Sequence, residues 1–81
     1  KMDLTYKLAN VLIEYAQKNA NRNDLDVLLW DKFDEMGYAL KDVMKKIKLI
    51  RNAEKSKADA CIAIDSAFVH WRRFNSYKTE K

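Results

Sequence analysis

The sequence predicts an all-α fold, a small three-helix bundle expected to be oligomeric, and three observations lead there. Proline is absent and glycine occurs once in 81 residues, so the chain lacks the turn residues that a β-sandwich or a doubly wound sheet requires. Hydrophobic residues recur at three- and four-residue spacing, most clearly at Leu29, Phe33, Met36, Leu40, Val43, Ile47 and Ile50, the period of a helix that buries one face. Polar stretches interrupt that period twice, at Asn19 to Asn23 and at Asn52 to Ser56, dividing the chain into three helical runs.

The first helix is expected over residues 3–20. Leu4, Leu8, Val11, Leu12 and Tyr15 form its apolar face, and Asp3 puts a carboxylate at its positive end. Asparagine accepts left-handed backbone and hydrogen-bonds within its own turn, so Asn19, Asn21 and Asn23 end this helix and form the connection. The second helix is expected over residues 24–51, about 40 Å long at 1.5 Å per residue, with Asn23 or Asp24 as its cap. Gly37 falls inside it at a cost of ~1 kcal/mol relative to alanine. The apolar phase passes through Gly37 unshifted, which favours one continuous helix over a break.

Beyond Ile50 the phase lands on Glu54 and Lys57 before apolar residues return at Cys61, Ile64, Phe68 and Trp71. Two charges where a seam needs apolar groups indicate a hairpin turn at 52–56, with Ser56 capping a third helix over residues 57–78 and Asp59 in its first turn. Folding there also sets Arg72 and Arg73 beside Asp31, Asp34 and Glu35. The competing arrangement, one helix of about 50 residues, leaves both sets unpaired.

Size and charge narrow the function. A single domain spanning residues 1–81 is expected, and a domain of this size buries roughly 60% of the surface its unfolded chain exposes, which makes stability modest unless the chain assembles. Sixteen Lys and Arg against twelve Asp and Glu give a net charge of +4, a mild attraction to anions short of the dense basic face of a dedicated nucleic-acid binder. One Cys excludes an internal disulfide and a thiolate-rich metal site. No run approaches the ~18 consecutive apolar residues of a membrane span, and the N-terminus lacks the apolar core of a signal peptide, so a cytoplasmic protein without membrane contact is expected. Lys1 ahead of Met2 reads as a leftover tag residue before a native start, or Met2 is internal to a longer chain.

Catalysis is not expected. The single Cys and single His fall nine positions apart on different faces of the third helix, Cys61 on the seam as a small buried hydrophobe and His70 on the polar side. Asp31 and Glu35 lie four apart but have no His partner, the pattern of a solvated helix face rather than a metal site. One glycine rules out a glycine-rich phosphate loop. No catalytic residue, metal or cofactor is therefore assigned.

Binding surfaces are better represented. Tyr6 with Ile13, Tyr38 with Leu49, and Ile62 with Val69 form apolar pairs seven or eleven apart, off the main seams; a helix apolar on two sides is usually covered on both. Trp30 and Trp71 stand at the seam margins, where indoles anchor interfaces. Lys41, Lys45, Lys48 and Lys55 line one side of the second helix, and Arg72 and Arg73 add cations from the third. These residues make up two expected contact sets, one for a protein partner or a second copy of the chain, one for an anion or nucleic acid. The expected function is that of a non-enzymatic regulatory, inhibitory or adaptor protein acting by protein-protein binding and self-association as a homodimer or higher assembly. A nucleic-acid-binding regulator using the lysine stripe is the alternative; in one form it is a helix-turn-helix over Phe33 to Val43, with Gly37 in the turn and Leu40 to Arg51 as recognition helix. A binder of a small anionic ligand between subunits is the third.

Overall fold

The computed structural model describes residues 3–79, with side chains through Asn75. Asp3 caps the first helix, α1 (Leu4–Lys18): its Oδ1 accepts from the Thr5 backbone N–H at 3.0 Å and from the Thr5 hydroxyl at 2.8 Å. Those hydrogen bonds satisfy an orphan N–H of the first turn and hold the Asp3 carboxyl below its ordinary value. The helix ends at Asn19, whose backbone N–H and side-chain amide both donate to the Tyr15 carbonyl, at 3.2 and 2.8 Å.

The buried face of α1 differs from the expected one. Ala9, Leu12, Ile13 and Ala16 are covered, whereas Leu4 and Val11 are 65% and 56% exposed. α1 packs against two neighbours at once, and Ala9 and Ala16 let them approach closely, which turns the buried arc toward Ile13 and away from Val11. Ile13, expected at an interface, is a core residue.

The long second helix is two helices, α2 (Leu25–Met36) and α3 (Leu40–Ala53), joined by one 3-10 turn at Gly37–Ala39. At the corner Gly37 has φ +55° and ψ −125°, a conformation that an L side chain adopts only with strain. In-phase apolar residues do not require a straight axis. Leu29 and Phe33 before the corner and Leu40, Val43 and Ile47 after it all reach the same core. At the start of α2, Asp24 occupies the cap position without closing on the helix, because its carboxylate pairs with Arg22 at 3.1 Å.

The expected hairpin forms, but the turn begins two residues later than 52–56 predicts, because Asn52 and Ala53 continue the helix. Glu54 is extended, its N–H donates to the Ile50 carbonyl at 2.7 Å, and after one 3-10 turn at Lys55–Lys57 the chain enters α4 (Ala58–Thr79). A continuous helix from mid-chain to the end is not formed. Ser56 lies inside the turn rather than at a cap. The charge pairing also differs from expectation: Asp34 accepts from the Trp71 indole N–H at 3.0 Å, Asp26 meets His70 at 2.8 Å, and Arg72 lies over the Phe68 ring at 5.7 Å. Neither Arg72 nor Arg73 pairs with Asp31, Asp34 or Glu35.

α1, α3 and α4 pack pairwise as a three-helix bundle, and α2 lies mainly against α4. Aromatic edges join these last two, with Phe33 meeting Phe68 at 6.0 Å and Trp71 at 5.8 Å, both T-shaped. Every ordered element among the described residues is helical. Among them, no helix is long and apolar enough to cross a membrane.

Candidate binding groove

The hairpin runs α4 back along α3 and leaves an open groove of about 590 Å³ between them. Its floor is apolar, made by buried Met44, half-buried Phe68 and exposed Val69. Exposed Lys41, Lys45 and Lys48 rim it from α3, and Arg72 from α4. Helical spacing explains the α3 rim: residues three and four apart stack on one side of the helix, and here that side borders α4. Toward the Gly37 corner the groove continues into a second hollow of about 380 Å³, where Tyr38 and Trp71 join Lys41, Phe68 and Arg72. The corner sets Tyr38 fully in solvent at this end.

One carboxylate lines the groove, that of Asp65, and Arg51 holds it at 3.3 Å. Burial pushes the Asp65 carboxyl above its ordinary value, against the opposing pull of the Arg51 and Lys48 charges. Nearby Lys46 and Lys57 are also paired, with Asp3 at 3.4 Å and Glu54 at 3.3 Å. Among the described residues, none of Lys41, Lys45, Lys48 and Arg72 forms an ion pair. Cations in excess over the one carboxylate, and without ion pairs among the described residues, therefore rim an apolar floor, an arrangement that attracts an anion carrying apolar surface.

A raised carboxyl value in the fold means that ionised Asp65 opposes folding. Stability tied to this group falls as pH rises from the ordinary carboxylate range through the raised value. Between about pH 3 and about pH 7, the urea midpoint of Asp65→Asn is expected to gain on that of wild type, despite the lost pairing with Arg51. The opposite trend would show the ion pair outweighing desolvation.

The structure assembles part of each expected contact set. Lys41, Lys45, Lys48 and Arg72 from the anion set meet Val69 in the groove, with Tyr38 at its end. Leu49 and Ile62 are exposed but lie outside the groove lining, and Tyr6 is partly exposed on α1. Ile13 is buried in the core. Trp30 ties α2 to α4, its indole N–H donating to the Ala67 carbonyl at 3.2 Å and its ring 5.2 Å from Phe74. Lys55, in the hairpin turn, and Arg73 are exposed and do not line the groove.

Met44, Phe68 and Asp65 carry the groove with these residues but have no separate sequence signal. Phe68 lies on the expected seam of the third helix, whereas Met44 and Asp65 belong to none of the expected seams or contact sets. Cys61 is fully buried, and burial pushes its thiol up, which leaves a poor nucleophile. No group of three metal-ligating side chains occurs among the described residues. Compared with protein-family models, with curated proteins and with solved structures, the chain matches none.

Proposed function

We propose that the chain is a non-enzymatic regulatory or adaptor protein that binds a partner protein in the groove between α3 and α4. The observation that carries this reading is the apolar floor of Met44, Phe68 and Val69 beneath four cations that form no ion pair among the described residues. A lysine-rich face that only keeps a helix solvated needs no such floor, whereas protein interfaces combine an apolar centre with a polar rim. Self-association belongs to the same proposal, through exposed Leu49 and Ile62 rather than the groove. Two grooves facing across a two-fold axis would set like charges against one another.

A second reading, duplex binding by α3, draws on the break at Gly37, which a helix-turn-helix requires. One experiment separates the two. Affinity capture from the native host is expected to recover a partner with wild type and to lose it with Lys45→Glu/Lys48→Glu and with Val69→Glu, all with unchanged helicity by circular dichroism. A captured set indifferent to both variants overturns the groove. Retention on generic duplex at low salt, steeply lost as salt rises and abolished by the lysine reversals, would favour the second reading.

A further inference from the structure

We propose that the groove's occupant is an amphipathic helix of a partner protein bearing a row of carboxylates beside its apolar stripe. This rests on the reading of the groove as a protein-binding site. Lys41, Lys45 and Lys48 are spaced four and three residues apart and span about 10.5 Å along α3, the length of two helical turns. An occupant helix laid along the groove presents carboxylates at that same spacing. Its apolar side chains, at i, i+3 or i+4, and i+7, meet the floor of Met44, Phe68 and Val69. The flexible thioether of Met44 adapts to branched or unbranched partners.

Two features set the register. Arg72 stands on the opposite rim with its guanidinium over the Phe68 ring at 5.7 Å and no carboxylate partner among the described residues, so its planar fork is available to a carboxylate. Asp65, held by Arg51, repels acidic groups farther along α4. Of the row, the carboxylate that meets Lys41 and Arg72, beside the second hollow, is therefore the most favourably placed. Nucleic acid would use the cations but leave the apolar floor unmatched, and a bound β-strand finds no sheet edge among the described residues.

The probe is a synthetic helical peptide of about 18 residues, long enough to hold helix on binding, with leucines at the stated spacing and glutamates flanking them. Calorimetric titration is expected to show saturable one-to-one binding. Binding is expected to weaken about tenfold or more when every glutamate is glutamine, and by a similar factor for the Lys45→Glu/Lys48→Glu chain. Val69→Glu is expected to weaken it too, while Lys45→Arg/Lys48→Arg retains it. Equal affinity for the glutamate and glutamine peptides overturns the carboxylate inference while the protein-binding reading stands. Affinity unchanged by all groove variants overturns it by placing the peptide elsewhere. Absence of saturable binding by the glutamate peptide also overturns it, and if generic duplex binds instead, the protein-binding reading falls as well.

Discussion

Replacing Phe33 with alanine is expected to remove about 3–5 kcal/mol of stability, the range for deleting a fully buried aromatic ring. The ring is completely covered and sets its edge contacts on Phe68 and Trp71, so truncation leaves a cavity where α2 meets α4. Domains in general hold a net 5–15 kcal/mol, and one of 81 residues has a limited core from which to absorb the loss. Urea or thermal unfolding should show it as a fall in melting temperature on the order of 15 °C, with Phe33→Leu falling less. A loss under about 1 kcal/mol would mean that the aromatic cluster does not hold α2 in place. Phe68 is both an edge partner of Phe33 and part of the groove floor, so binding at the groove should weaken with the packing behind it.

Gly37→Ala is expected to destabilise the protein by an amount on the order of 1–3 kcal/mol, and its sign is as informative as its size. No heavy atom lies within 4 Å of a Cβ built at this position, so crowding contributes nothing. The cost comes from the backbone, held at φ +55° and ψ −125°. Were residues 24–51 one continuous helix, the same change would stabilise by ~1 kcal/mol, because alanine is the better helix former. Opposite signs make a urea titration decisive. A stabilised Gly37→Ala variant rules out the corner. D-alanine introduced at this position by chemical synthesis is expected to stabilise, since it adopts positive φ without strain and restricts the unfolded chain.

Much of the fold is legible residue by residue because its causes are local. The missing prolines, the spacing of Val43, Ile47 and Ile50, and the charges at Glu54 and Lys57 all act within a few turns of helix, and the helical class and a hairpin turn near 52–56 follow from them, although Asn52 and Ala53 stay helical in the fold. Ile13 was not legible as core. Val11, Leu12 and Ile13 are all apolar, so periodicity offers more than one phase, and the small residues Ala9 and Ala16 settle it only once α3 and α4 press against them. The corner at Gly37 is not legible for a related reason. Phase records which side of a helix is apolar and is blind to a change in axis direction. Arg72 lies over Phe68 rather than beside Asp31, Asp34 or Glu35 because the hairpin's existence does not specify which α4 side chains face α2 and which face α3.

The candidate groove divides along the same line. Its lysine rim at Lys41, Lys45 and Lys48 was visible as a stripe, since spacing alone puts these residues on one side of a helix. Its floor was not. Met44 and Phe68 carry the same apolar signal as residues that end fully covered, and only the way α4 packs along α3 sets half-buried Phe68 and the edge of buried Met44 in the groove lining. By itself, then, the sequence determined the helical class, the hairpin turn and the charged stripe. The tertiary structure alone decided the corner at Gly37, the buried side of α1 and the meeting of Lys41, Lys45 and Lys48 with Arg72 over an apolar floor. The physical reason is that periodicity belongs to each helix singly, whereas exposure belongs to the contact between helices distant in sequence, where side-chain volume and approach distance choose what is covered.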